Sequence, residues 1–182
     1  MQDEQDLVYR AQRGDKEAFA RLYESYFDKI YRYVVLKMGN KTEAEDVTQQ
    51  VFLNALQSLS SFKWKGVPFS AWLFRIAHNL VVDYWRREKK WATTSLDDSV
   101  VSVDSQASGC NPQLEAERRL NMAQVISATK QLTMAQREVI NLRFAGELSI
   151  AEVAKAMGKS EGAVKALQHS ALVALRKALS VA

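Results

Sequence analysis

Breakers are scarce in this chain: two prolines and seven glycines stand among 182 residues, so few sharp turns are available and long uninterrupted elements must form. Between them, apolar residues return every three or four positions, the period of one helix face. Leu7, Ala11, Phe19, Leu22, Tyr26, Ile30 and Val34 recur in this way, with Gly14-Asp15 breaking two helices apart and Gly39-Asn40 ending the second. Thr42 followed by Glu45 reads as a capping box, in which a hydroxyl and a carboxylate satisfy amide donors left over at a helix start. It predicts a helix to about Leu59. Val67-Pro68 predicts a loop, because proline disfavours a helical residue before it, and a further helix is expected from Ser70 to about Lys90. The fold class is all-α.

From Trp91 to Glu117 there is no Lys or Arg, while Asp97, Asp98, Asp104, Glu115 and Glu117 are acidic and small polar residues are frequent. Such a stretch has too little apolar surface to offset the entropy of ordering and reads as a flexible linker. The chain divides accordingly into a helical domain at 1–91, a linker at 92–114 and a second small helical domain at 115–182. Pro112 starts a helix running to Leu132, the pairs Thr133/Gln136 and Ser149/Glu152 repeat the capping box, and Ser160 caps the last helix. Nothing in the sequence sets how the two domains sit relative to each other.

Several function classes fall away. The single cysteine, Cys110, excludes an internal disulfide, and with two histidines it makes a poor metal set. No metal site or cofactor is expected. The acidic start MQDEQDLVYR has no apolar core of a leader, and no run approaches the roughly 18 apolar residues of a membrane span. No membrane insertion is expected, and a cytoplasmic location is. A Gly-rich phosphate loop is missing, and His78 and Asp83 share a helix but not a face, so neither catalytic residues nor an enzyme is expected.

Net charge is only +4, so the placement of charge matters more than its sum. The stretch FKWKGVPFSAWLFRIAHNLVVDYWRREKKW, residues 62–91, holds all four tryptophans together with Phe62, Phe69 and Phe74 and a dense set of Lys and Arg. Projected as a helix, Leu73, Ala77, Leu80, Val81 and Tyr84 form an apolar face, and Arg75, Asn79, Asp83 and Arg86 form a polar stripe that takes in Trp72. Ahead of it the loop supplies Lys63, Trp64, Lys65 and Phe69, and Arg86 and Arg87 follow at its far end. Cations for a backbone, aromatics for stacking and an amide for base edges are what unpaired nucleic acid requires.

SIAEVAKAMGKSEGAVKALQHSALVALRKAL carries a second pattern. Ala154 is small where two helices cross, Gly158 admits the positive φ of the turn, and Val164 packs the second helix on the first, as in a helix-turn-helix. Ala163, Val164, Leu167, Ala171, Ala174, Leu175 and Ala178 project inward. Glu161, Gly162, Lys165, Ala166, His169 and Arg176 project outward, mixing small residues with donors for phosphates and base edges. A plain helical hairpin with a solvated face would share the periodicity, and His169 alone decides nothing. On the Thr42 helix, Ala44, Thr48, Val51, Phe52, Ala55 and Leu59 cluster inward, leaving Asp46, Gln50, Leu53 and Gln57 outside, a surface suited to a protein partner.

DLVYRAQRGDKEAFARLYESY, AEDVTQQVFLNAL, FSAWLFRIAHNLVVDYWRREKK and the helix-turn-helix segment together resemble a bacterial RNA polymerase sigma factor of the extracytoplasmic-function type. The resemblance covers nearly all of the chain outside the linker. It implies a sigma region 2-like helical bundle and a sigma region 4-like helix-turn-helix domain. The first would bind core RNA polymerase and recognise and melt the promoter −10 element, and the second would read the −35 duplex. Asp46, Gln49, Gln50 and Leu53 would then dock on the polymerase β′ clamp helices, with the β flap as a further contact. The −10 contacts carry over to Lys63, Trp64, Lys65, Phe69, Arg75 and Asn79, with Trp72, Arg86 and Arg87 at the melted junction. Ser160, Glu161, Gly162, Lys165, Ala166 and His169 would occupy the recognition helix, and Arg176 and Lys177 would hold phosphates. The linker would thread toward the RNA exit path, and an anti-sigma protein is a partner the resemblance allows. GVPFSAW is slightly longer than the shortest loops of the family; Phe69 is the expected wall for a flipped base. The other reading is a stand-alone helix-turn-helix regulator with an N-terminal sensing domain, which would bind duplex DNA without polymerase.

Overall fold

The computed structural model describes residues 2–64, 66–91 and 127–180, and every regular element among them is helical. Helices α1 (Gln2–Gln12), α2 (Lys16–Met38), α3 (Lys41–Ser58, continued by a 3-10 turn at Leu59–Ser61) and α4 (Phe69–Trp91) make the N-terminal domain. After residue 127 come α5 (Met134–Ile140), which runs on into a π-helical turn at Asn141–Ala145, then α6 (Ile150–Met157) and α7 (Glu161–Ser180). The linker at 92–114, with Cys110, and most of the helix expected from Pro112 lie outside the described residues.

Caps set the boundaries. Asp15 accepts from the amides of Glu17 and Ala18 at the start of α2, and Arg10 holds its Oδ2 from Nε and Nη2 at 2.9 and 2.7 Å. The Ala18 amide and then Arg10 draw the Asp15 carboxyl below its usual range. The expected capping boxes form at Thr133/Gln136 and Ser149/Glu152, and the Ser160 hydroxyl accepts from the Ala163 amide at 3.2 Å. Three expectations are corrected. Asn40, extended just after Gly39 closes α2, caps α3 through Thr42 N and Glu43 N, so Thr42 is already inside the helix. Helix α4 begins at Phe69 rather than Ser70, with the Trp72 amide bonded to the Pro68 carbonyl at 3.1 Å. Ala163 is exposed, being too near the start of α7 to reach its neighbour.

Leu22, Ile30, Tyr33 and Val34 of α2 meet Val51 and Phe52 of α3 and Leu73, Phe74 and Val81 of α4 in the core. Each such side chain contributes roughly 1.5–3 kcal/mol when fully buried. In the second domain Gly158 (φ 63°) turns the chain between α6 and α7, a conformation that costs glycine little. The turn brings buried Val164 toward Ala154. Val139, Leu142, Ala145, Leu148 and Val153 belong to the same buried cluster as the N-terminal core, so the domains are packed together, α6 lying on α4 and the π-helical turn on α2. Among the described residues no helix is long and apolar enough to cross a membrane.

Candidate nucleic-acid interface

The loop before α4 is tethered from behind. Gln12 Nε2 donates to the carbonyls of Leu59 and Phe62 at 2.9 and 2.8 Å, which fixes where the aromatic run begins. Phe62 then stands at the centre of a cluster, its ring 5.5 Å from Trp64, 5.8 Å from Phe69 and 5.0 Å from Trp72. Trp72 also meets Phe69 at 5.4 Å. Tilted and edge-on contacts at these separations are favourable beyond simple area burial. The Trp64 indole N–H is buried with no hydrogen-bond partner among the described residues, an unsatisfied donor inside the loop.

Two sequence expectations change here. The helical projection puts Trp72 in the polar stripe of α4, but the preceding loop folds back so that Phe62 covers the indole, leaving it half-buried. Phe69, the expected wall for a flipped base, is 1% exposed and belongs to the core. It supports the cluster and offers no free face. Lys63, Arg75, Asn79, Arg86 and Arg87 are exposed, Trp64 is half-buried, and Lys65 lies outside the described residues. Arg75 Nη2 donates to the Lys155 carbonyl of α6 at 2.7 Å, and Arg86 pairs with Asp83 at 3.0 Å. Asn79 lines a groove of about 510 Å³ between α3 and α4, with Asn54, Gln57, Ser58 and Asp83. By helical spacing alone Gln57 falls on a protein-facing surface and Asp83 only in a stripe. Polar spacing on each helix was visible, but their convergence depends on how α3 crosses α4.

Helix α7 presents the second surface. Ser160, Glu161, Gly162, Lys165, Ala166, His169, Arg176 and Lys177 are all exposed, while Val164 and Ala171 are buried beneath them. Arg143 Nε donates to the Gln168 side-chain oxygen at 3.1 Å and its guanidinium also reaches the Leu148 carbonyl, which steadies the helix against the π-helical segment. On α3, Asp46, Gln49, Gln50 and Leu53 are exposed, joined by Leu56, and Gln50 Nε2 bonds Asn54 Oδ1 at 2.7 Å. An open helix bearing cations and small residues can enter a groove. Aromatic rings beside cations can hold bases outside a stack.

Comparison with known proteins matches two separate stretches of the chain. Residues 22–91 match the sigma-70 region 2 family and residues 128–177 match sigma-70, region 4. The ECF RNA polymerase sigma factor BldN of Streptomyces coelicolor is 38% identical over 96% of this chain, which spans 65% of BldN. SigW of Bacillus subtilis, another ECF RNA polymerase sigma factor, is 34% identical over 94% of both chains. Among solved structures, CnrH in complex with the cytosolic domain of CnrY superposes with a TM-score of 0.73 at 26% identity, covering 98% of each chain. The sigma factor RpoE of Bartonella quintana, bound to the anti-sigma factor NepR, shares the fold with a TM-score of 0.68 at 23% identity over 90% of this chain and 97% of its own. The chain belongs to the ECF family of RNA polymerase sigma factors.

Proposed function

We propose that this chain is a dissociable promoter-specificity subunit, which binds core RNA polymerase and directs it to promoters with a −35 duplex element and a −10 element read as unpaired strand. The observation that carries the reading is the presence on one chain of two dissimilar surfaces, an aromatic loop and helix at 62–87 and an open recognition helix at 160–177. As a sigma factor it is a transcription initiation factor and not an enzyme, and the mechanism has no covalent step and calls for no cofactor or metal. We divide the chain at 1–91, 92–114 and 115–182, as the composition suggests.

In this reading Lys63, Lys65, Arg75, Arg86 and Arg87 hold the backbone of the melted strand, Trp64 and Trp72 stack on its bases, and Asn79 reads a base edge. Phe69 holds those rings in place rather than touching DNA. Lys165 and His169 face base edges in the −35 major groove, where Ser160, Gly162 and Ala166 allow close approach and Glu161 accepts from a cytosine amine, and Arg176 and Lys177 take phosphates. Phosphate contacts raise affinity and make it salt-dependent, and base contacts select the promoter. Asp46, Gln49, Gln50 and Leu53 meet the β′ clamp helices, and the second domain meets the β flap. The chain acts in the cytoplasm, where polymerase is. A protein regulator of the anti-sigma kind is a further partner, by analogy with CnrH, which is held by the cytosolic domain of another protein. The stand-alone regulator gains no support from relatives named as sigma factors.

Run-off transcription tests this reading. Core polymerase supplied with the purified protein and a pool of genomic fragments should yield transcripts with discrete 5′ ends that core polymerase alone does not make. Identical transcripts with and without the protein would contradict it.

A further inference from the structure

The domain interface is fastened at a place that promoter recognition does not use. Glu138 of α5 reaches across to the N-terminal domain. Its Oε1 accepts from the Tyr33 hydroxyl at 2.6 Å and lies 3.1 Å from His78 Nδ1, and its Oε2 accepts from Lys37 Nζ at 2.5 Å. The Glu138 and Lys37 side chains are only 12% and 16% exposed. A buried ion pair is a weak source of stability compared with apolar packing of the same volume, but removing one member leaves an uncompensated charge, so such pairs fit registry and switching better than adhesion.

Three further features show that the contact is built to fit. Glu147 takes a left-handed backbone (φ 57°), rare outside glycine, and pairs with Arg32 at 2.6 Å and Lys29 at 3.2 Å on α2. Gly146 lies so close to Phe74 of α4 that a Cβ would stand 2.7 Å from the ring. Arg75, assigned above to the melted strand, spends its guanidinium on the Lys155 carbonyl. The closed chain therefore brings the helix-turn-helix domain onto the very helix that carries −10 contacts. Base pairs rise about 3.4 Å each along duplex DNA, so two elements separated along a promoter cannot be read at once by two domains held this close together.

We propose that Glu138 is the bolt of an intramolecular lock: seated among Tyr33, Lys37 and His78, it holds the C-terminal domain over the Arg75 face of α4, and promoter strand reaches that face only after the bolt is drawn. The occlusion, though not the lock, rests on the assignment of α4 to the −10 strand. The lock treats the two DNA surfaces unequally, since the outward face of α7 stays open to solvent.

Small-angle scattering of the full chain tests the lock without any DNA. Wild type should be compact, Glu138→Lys should be expanded because it sets a cation against Lys37, and the exchange Lys37→Glu with Glu138→Lys should restore compactness, with helical circular dichroism confirming that each variant is folded. Binding of a fluorescent single-stranded DNA carrying the −10 sequence selected with polymerase then tests the occlusion. Glu138→Lys should bind about tenfold more tightly than wild type, the gain expected if the open fraction rises from about a tenth to nearly all. Equal dimensions for wild type and Glu138→Lys, or no recovery in the exchange variant, would overturn the lock. Expansion without any gain in strand binding would overturn the occlusion. If Glu138→Lys expands as expected but neither it nor wild type opens a promoter with core polymerase, the lock stands and the sigma reading of this chain fails instead.

Discussion

Helix α7 meets solvent along the whole face assigned to the −35 duplex, whereas α4 keeps much of its equipment packed away. On α7 the cations and small residues stand outward over buried Val164 and Ala171, and nothing has to move before the helix enters a groove. On α4 the Trp72 ring leans on Phe62 and Phe69, the Trp64 N–H nearby is buried with no partner among the described residues, and Arg75 is engaged by the other domain. A duplex presents its base edges ready-made, so a rigid exposed helix suffices to read them. Unpaired bases offer ring faces, and the protein must supply an aromatic surface that is costly to leave in water. Packing that surface away until the strand arrives resolves the conflict, and locking the domains together extends the same protection to Arg75.

The comparison can be broken most forcefully at Trp72. Replacement by Ala should reduce promoter opening by up to about a hundredfold, following the 1–3 kcal/mol that one stacked base contributes, as followed by permanganate reactivity of unpaired thymines. Because Trp72 also packs on Phe62 and Phe69, Trp72→Phe serves as control: it keeps the packing and should retain most of the opening. Equal loss of closed and open complexes in Trp72→Ala would show that the ring only supports the fold.

Acid should open the closed chain next. Burial alone would raise the Glu138 carboxyl, but the His78 hydrogen bond, the Lys37 charge and hydrogen bond, and the Tyr33 hydroxyl hold it down to about 2 from the usual 4.5. An acid with a depressed pKa stabilises the folded arrangement fully above its unfolded value, and that contribution disappears as pH falls through the depressed one. The closed form should therefore lose stability on the order of 3 kcal/mol between about pH 4.5 and about pH 2. Glu138→Gln should flatten this part of the thermal-melting profile. A profile unchanged by the substitution would remove Glu138 from the account of acid sensitivity.

Gly146→Ala sharpens the contrast from the interface side. Its new Cβ would meet the Phe74 ring at 2.7 Å and the Leu142 carbonyl at 2.8 Å, an overpacking worth roughly 1–3 kcal/mol, visible as a lower melting temperature. Lys165→Ala should lower affinity about tenfold for DNA with the correct −35 sequence and much less for other duplexes. Uniform weakening on all duplexes would reassign Lys165 to a phosphate. Leu53→Ala, at a residue 47% exposed, should weaken binding to core polymerase by about threefold, in line with about 0.5–1 kcal/mol for a small apolar contact, with the melting temperature unmoved.

Local chemistry was legible in the sequence, and convergence was not. The boxes at Thr133 and Ser149 need only residues three apart, and the face of α7 follows from its own period, so both could be read from the chain. Thr42 misled because its pairing with Glu45 is also local, while the winning cap, Asn40, depends on the extended backbone that follows Gly39. Trp72 was misplaced because a helical wheel knows nothing of the loop that brings Phe62 over it. Tyr33, Lys37, His78 and Glu138 come from three separate helices, α2, α4 and α5. No spacing rule connects them, so the lock could be seen only once the domains were placed together.

Two surfaces on this chain are proposed to read two promoter elements through polymerase. Selection of opened sequences from a randomised promoter library, by core polymerase with the purified protein and by core polymerase alone, addresses it most directly. Paired −35 and −10 motifs at a fixed separation should be enriched only when the protein is present. A single duplex motif enriched equally without polymerase would contradict it and identify a stand-alone regulator.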